Sequence, residues 1–263
     1  MTKIINSVDQ NFENDFNNLL TMNRSSDSDV TQTVAAIIDD IRKNGDEALL
    51  KYTHQFDKNS LDINNILLEE DEIERQSRDV PSDLCDALKV SMDRVRTYHE
   101  KQLPNDLVYE DNLNSKLGYV WRPVESVGIY VPGGTASYPS TVIMNTIPAV
   151  VAGVEDITMV TPMTNTAISS SVLYAAKICG IKKIYCIGGA QAVAALAYGT
   201  KTIKSVNKIV GPGNIYVAEA KRQVSGFIGI DMFAGPSEVV IIADEKNDQK
   251  IVAADLIAQS EHD

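Results

Sequence analysis

The sequence of 263 residues has few cysteines and no excess of positive charge. Three cysteines, Cys85, Cys179 and Cys186, are too few for a disulfide framework, and they favour a reducing compartment, which we take to be the cytoplasm. The chain carries 24 Lys and Arg against 36 Asp and Glu, a formal net charge of -12. This charge argues against a nucleic-acid partner, because a polyanion is bound through clustered cations.

Long apolar runs are also missing. The longest one extends from about Thr141 to Val154, contains Asn145 and Pro148, and falls short of the ~20 residues that span a bilayer. The amino terminus has no apolar core followed by a small-residue cleavage site, so no secretory signal is expected. We therefore expect no membrane partner.

Several catalytic motifs are absent as well. The sequence contains no HExxH, CxxC, GxSxG or P-loop pattern, and no complete GxGxxG. A metal-free acyl or phosphoryl transferase is therefore the weakest of the enzyme classes that we consider. With 44% hydrophobic and 23% charged residues, the composition is typical of a folded globular protein rather than a disordered chain.

The patterning predicts an α/β fold. The first third is helix-rich, with a helix that begins near Val30 and ends at Gly45 and a short strand at Ile66–Leu68. From Val127 onward, short β-branched strands alternate with glycine turns and helices, which favours a mostly parallel sheet covered on both faces. A last strand, VVIIAD, is expected before a helix over about 248–261.

Glycine-rich turns join three of these strands to the helices that follow, at 133–134, 188–189 and 211–213. Such turns expose N–H groups at a helix amino terminus and attract an anion such as a pyrophosphate. Tyr130, Gln191 and Asn214 lie beside the turns, where the carboxyl ends of parallel strands form a ligand crevice. The alternative is that the glycines only make the turns and that Gln191 and Asn214 only cap helices.

Two further positions bear on chemistry. Gln259 and His262 are three residues apart in the last predicted helix, so they share a face and could present an amide oxygen and an imidazole to a metal or substrate. A histidine that only complements the helix dipole is the alternative. Cys186 lies in an apolar strand, and we expect it to be buried and unreactive.

Five segments together resemble one family, histidinol dehydrogenase. They are VGIYVPGGTASYPSTVIMNTIPAVVAGV, IGGAQAVAALAYGT, KIVGPGNIYVAEAKRQV, IDMFAGPSEVVIIAD and AADLIAQSEHD. The resemblance runs from about Val30 to the last residue. It implies a zinc-dependent oxidoreductase of histidine biosynthesis that converts L-histidinol through L-histidinaldehyde to L-histidine with two NAD in turn.

The resemblance also assigns site residues. Tyr130, Gln191 and Asn214 match the NAD contacts of the family. Ser237 matches a substrate contact. Gln259 and His262 match two zinc ligands that also help to hold the substrate, with one Zn²⁺ per subunit.

Pattern and resemblance together predict two Rossmann-like, incomplete doubly wound domains with parallel sheets, the second inserted in the first. The expected parts are an N-terminal helical extension at 1–25, a first α/β domain at 26–129 and 237–263, and an inserted NAD-side domain at 130–236. Family members continue beyond this point with a Glu-His acid/base pair, two more zinc ligands and a tail that reaches the partner in a homodimer. We therefore expect a truncated chain that has no catalytic acid or base of its own and is inactive alone.

Two other functions remain open. One is a sister NAD-dependent dehydrogenase that acts on another polar alcohol. The other is a non-catalytic remnant that still binds a nucleotide, which would show nucleotide binding without metal-dependent turnover.

Overall fold

A parallel β-sheet lies at the centre of the protein in its computed structural model, which describes residues 5–22, 27–57, 61–133, 137–163, 167–232 and 239–260. The helices of the first half are α1 (Phe12–Met22), α2 (Asp27–Asn44), α3 (Asp46–Asp57), α4 (Glu70–Gln76) and α5 (Ser82–Glu100). Those of the second half are α6 (Pro139–Ala152), α7 (Ser170–Ile178), α8 (Gly189–Tyr198), α9 (Ile215–Val224) and α10 (Gln249–Ser260). The strands are β1 (Leu67–Glu69), β2 (Leu107–Glu110), β3 (Lys116–Tyr119), β4 (Ser126–Tyr130), β5 (Asp156–Val160), β6 (Lys183–Tyr185), β7 (Lys208–Val210) and β8 (Gly229–Ile230).

The main sheet has six strands in the order β1-β6-β5-β4-β7-β8. Strands β4 to β8 are parallel, and β1 pairs antiparallel with β6. From β4 the chain first builds outward through β5 and β6, then returns to the other side of β4 for β7 and β8. The predicted α/β fold with a parallel sheet is confirmed.

Helices cover both faces of this sheet. Helices α4 to α7 pack with one another around one apolar cluster, and α2, α3, α8 and α9 pack around another. Helix α8 is almost wholly buried and consists largely of alanines, and their small side chains let α2 and α9 approach it closely. The densely packed α8 fixes the position of the glycine turn that precedes it.

The sheet takes strands from both sides of the boundary predicted at residue 130. Strand β1 lies in the predicted first domain, and it pairs with β6 in the predicted inserted domain. Strand β4 likewise begins at Ser126, before the boundary. The division into two domains and an extension stays a prediction.

The strand predicted for VVIIAD is not formed. Residues 239–244 have no regular secondary structure, and Val240 and Ile242 are 87% and 94% exposed. A strand needs a neighbour to receive its backbone hydrogen bonds, and no strand in the described parts of the chain pairs with this segment. The helix expected after it is present as α10.

Among the described residues, no helix combines the length and the apolar character needed to cross a membrane.

Candidate functional site

The carboxyl ends of β4 and β7 lie side by side at the point where the strand order reverses. The register pairs Ile129 with Val210, so Tyr130 and Gly211 leave the sheet together. In open parallel sheets, the helices that follow two such strands go to opposite faces and leave a crevice between them. The crevice predicted from the glycine turns would therefore lie beside Tyr130.

Tyr130 also reaches the turn between β6 and α8. Its hydroxyl oxygen accepts a hydrogen bond of 3.0 Å from the backbone N–H of Gly189. The preceding N–H, that of Gly188, lies near the carboxylate of Asp57 at the end of α3 and lowers its pKa. Both N–H groups of a turn expected to bind an anion thus already face oxygen atoms of the protein itself.

Gln191 lies in the first turn of α8 and is fully buried. Neither its Nε2 nor its Oε1 has a hydrogen-bond partner among the described residues. A Cβ at Gly189, where φ is +65°, would stand 2.5 Å from Oε1, so the amide lies against the turn and only glycine leaves room for it. Gln191 does not cap α8, whose N-cap residue is Gly188 and receives no side-chain hydrogen bond. For Gln191 the capping alternative is therefore wrong.

The glycine turns after β4 and β6 are held together by Pro162. A Cβ at Gly133 would lie 2.6 Å from the Pro162 ring, and a Cβ at Gly188 would lie 2.7 Å from it. Glycine is required at both positions because the Pro162 ring occupies the space that a side chain would take.

Charged side chains form hydrogen bonds with both the backbone N–H and the carbonyl oxygen of Gly211. Asp231 Oδ2 accepts from the N–H of Gly211 at 2.8 Å, and Lys221 Nζ donates to its carbonyl oxygen, also at 2.8 Å. Lys221 and Asp231 also form an ion pair with each other, and the Lys221 side chain is only 3% exposed. The ion pair fixes the turn between β7 and α9 from two directions.

Asn214 forms the N-cap of α9. Its Oδ1 accepts hydrogen bonds of 3.1 Å from the N–H groups of Tyr216 and Val217. The capping interpretation is thus correct for Asn214. The cap occupies Oδ1 and leaves the amide nitrogen as the group that can donate to a ligand.

Burial raises the pKa values of two side chains of the site, Asp57 and Tyr130. It raises the pKa of Asp57 from 3.8 to about 6, against the hydrogen bond from Gly188, which lowers it. Burial, with a smaller effect of the Asp57 charge, also raises the pKa of Tyr130. Tyr130 therefore stays protonated near neutral pH, and its hydroxyl can donate to a ligand as well as accept from Gly189.

Cys186 and Cys179 are buried, and burial raises the pKa of each thiol to about 12. A thiol in this state is a poor nucleophile. The expectation that Cys186 is buried is confirmed, and its lack of reactivity stays a prediction.

The other predicted site residues fall near the end of the chain. Gln259 is half-buried on α10 and lines an open groove of about 540 Å³ between α10 and residues 239–242. Ser237 and His262 lie outside the described residues. Within the described part of the chain, no three His, Cys, Asp or Glu side chains form a group that could hold a metal ion.

The sequence patterns did not identify Asp57, Lys221 or Asp231. Asp57 ends a helix of the charged N-terminal third, and nothing in its local pattern indicates that it meets a turn more than a hundred residues later. Asp231 follows directly after β8, a two-residue strand that the sequence patterns did not identify either.

Most of the chain is similar in sequence to the members of one known protein family. The family model described as histidinol dehydrogenase matches residues 20–263. The histidinol dehydrogenase of Rhizobium meliloti (strain 1021) is 52% identical over 98% of this chain, and that of Brucella abortus (strain 2308) is 49% identical over all of it. The crystal structure of histidinol dehydrogenase from Elizabethkingia anophelis superimposes with a TM-score of 0.82 at 41% identity, covering 88% of this chain.

The match covers only part of each relative. The chain spans 60% of the Rhizobium protein, 61% of the Brucella protein and 53% of the Elizabethkingia chain.

Proposed function

Because the chain belongs to the histidinol dehydrogenase family, we propose that it supplies the NAD-binding part of a zinc-dependent oxidoreductase. The reaction is the oxidation of L-histidinol through L-histidinaldehyde to L-histidine, with two NAD used in turn. We further propose that the complete enzyme is a homodimer.

The observation that carries the NAD site is the buried amide of Gln191. A buried polar side chain without a partner costs about 1–3 kcal/mol, so a group of this kind in a crevice points to a ligand. Its position at the glycine turn fits a nucleotide, because the amide can both donate and accept a hydrogen bond. When bound, NAD supplies the hydride acceptor.

Three side chains of this site have separate tasks. The buried hydroxyl of Tyr130 holds the turn by accepting from Gly189, and it donates a hydrogen bond to the dinucleotide. Gln191 donates and accepts through its two amide atoms. Asn214 keeps α9 in place with Oδ1 and donates through its nitrogen.

The zinc site rests on the resemblance and on the position of Gln259. We propose that Gln259 and His262 are two of its ligands and that Ser237 contacts the substrate. Bound zinc would hold histidinol by its nitrogen atoms and orient its alcohol. Since these residues offer no catalytic acid or base, we expect a polypeptide of these 263 residues to be unable to oxidise histidinol alone.

Isothermal titration calorimetry with NAD tests the proposal on the wild-type chain and on Gln191→Met, in parallel with a histidinol-dependent NADH assay. The matched control is Gln102→Met, which makes the same change at an exposed position. We expect NAD to bind to the wild type and the control, and to bind at least tenfold more weakly to Gln191→Met, since a hydrogen-bonded amide contributes about 1.4 kcal/mol.

The results separate the candidate functions. Equal NAD affinity in Gln191→Met and the wild type would overturn the assignment of the site. NADH production by the 263-residue polypeptide would overturn the expected inactivity. NAD binding without turnover, in a protein whose longer form is also inactive, would favour the nucleotide-binding remnant.

A further inference from the structure

Asp57 carries a carboxylate beside the turn between β6 and α8, close enough to the backbone N–H of Gly188 for that group to lower its pKa. One of its oxygen atoms, Oδ2, is buried and has no hydrogen-bond partner in the part of the chain that the structure describes. A buried carboxylate oxygen without a donor is costly, and this one lies at the same turn as the unpartnered amide of Gln191.

The surroundings of this oxygen restrict what can bind there. The N–H of Gly189 already donates to Tyr130 and that of Gly188 faces the carboxylate of Asp57, so the turn is poorly suited to a pyrophosphate. The charge of Asp57 would also repel a phosphate. A group that donates a hydrogen bond and carries no charge fits, and a dinucleotide offers such groups in its ribose hydroxyls.

The sheet topology indicates which ribose this is. The turn beside Asp57 follows β6, whereas the chain leaves the sheet at β8 before it reaches α10, which carries Gln259. Strands β6 and β8 are separated by three other strands, or about 19 Å at the usual strand spacing. We take the end of the dinucleotide near β6 to be the adenosine end, which is the one remote from the substrate.

We propose that Asp57 is a specificity-determining residue of the NAD site, which accepts a hydrogen bond from the adenosine ribose and excludes a dinucleotide with a phosphate on that ribose. This inference rests on the proposed function of the site. It adds a residue from α3 to a site otherwise built from the strand ends.

The test uses Asp57→Asn, which keeps an oxygen for the N–H of Gly188 but removes the charge and replaces one acceptor by a donor. Calorimetry with NAD and NADP is expected to show that the wild type prefers NAD. In Asp57→Asn the affinity for NAD should fall by about tenfold, as a hydrogen bond to a charged group is lost, while the affinity for NADP should not fall. Asp39→Asn, an exposed carboxylate on α2, is the matched control and should keep the wild-type preference.

A measurement on the wild-type chain makes the test independent of whether the variant folds. AMP is compared with 2′,3′-dideoxy-AMP, which lacks both ribose hydroxyls, and we expect the dideoxy ligand to bind about tenfold more weakly. Nicotinamide mononucleotide tests the other ribose, and an effect of Asp57→Asn on that ligand instead of AMP would overturn the assignment of the adenosine end.

The two proposals fail in different ways. If the wild type binds NAD and Asp57→Asn keeps both its affinity and its preference over NADP, the role of Asp57 is refuted and the site stands. If the wild type binds neither NAD nor AMP, the site itself is refuted, and the role of Asp57 with it.

Discussion

The carbonyl oxygen of Tyr130 lies 2.0 Å from the point where a Cβ of residue 211 would stand. Gly211 also has φ +120°, a conformation that residues with side chains rarely adopt. The two neighbouring strands β4 and β7 thus pass each other at a distance that only glycine permits. Glycine is required at this position. A side chain here would force apart the end of β4, which carries Tyr130, and the turn that follows β7.

Replacing Gly211 by alanine should be strongly destabilising. The backbone conformation alone costs about 1–3 kcal/mol, and the overlap with Tyr130 adds to it. Gly226→Ala is the matched control, because Gly226 has φ +135° and nothing within 4 Å of its Cβ position. Urea unfolding should give a larger loss for Gly211→Ala than for Gly226→Ala, and equal losses would contradict the close approach.

The sequence predicted the fold better than the site. The strand and helix pattern from Val127 onward identified β4 to β7 and the helices that follow them, because buried parallel strands and their connecting helices have distinct periods. The segment 239–244 has the same composition as a strand, but composition does not specify whether a neighbour is there to pair with it. Asp57 was missed because its contact with Gly188 is set by the packing of α3 against α8.

Loss of the Lys221 side chain should destabilise the turn between β7 and α9. Lys221→Met leaves Asp231 without its cation and the carbonyl of Gly211 without its donor, at an expected cost of about 3 kcal/mol. Asp231 is 27% exposed, so water compensates part of its charge. Chemical denaturation of Lys221→Met, Asp231→Asn and the double variant measures the energetic coupling between the two side chains. If the losses in unfolding free energy of the single variants simply add up in the double variant, the two side chains do not stabilise the turn jointly.

Gln191→Met should make the protein more stable while it weakens NAD binding. Removing the buried, unpartnered amide is expected to raise the free energy of unfolding by about 1–2 kcal/mol, as thioether and amide are similar in size. The measurement is urea unfolding without ligand, with Gln102→Met as the control for a surface change. A loss of stability would mean that the amide has a structural partner outside the described residues.

Asn214 allows its two tasks to be separated. Asn214→Ala should lose the cap of α9 and about 1 kcal/mol of stability. Asn214→Asp keeps an oxygen for the N–H groups of Tyr216 and Val217 and should be as stable as the wild type, but it lacks the nitrogen that we assign to the dinucleotide. Thermal unfolding and NAD titration of both variants distinguish the roles, and unchanged NAD affinity in Asn214→Asp would restrict Asn214 to capping.

Asp57 should make the stability of the protein fall as the pH rises from 4 to 7. Its pKa is about 6 in the folded protein against an ordinary 3.8, because burial disfavours the charged form. The folded state therefore binds the proton more tightly than the unfolded state between these values, and the stability present at low pH is lost as the pH passes through 6. Urea unfolding at pH 4, 5, 6 and 7 measures this contribution as the difference between the wild type and Asp57→Asn, with Asp39→Asn as the control. We expect the wild type to lose stability relative to Asp57→Asn across this range, and a difference independent of pH would refute the raised pKa of Asp57.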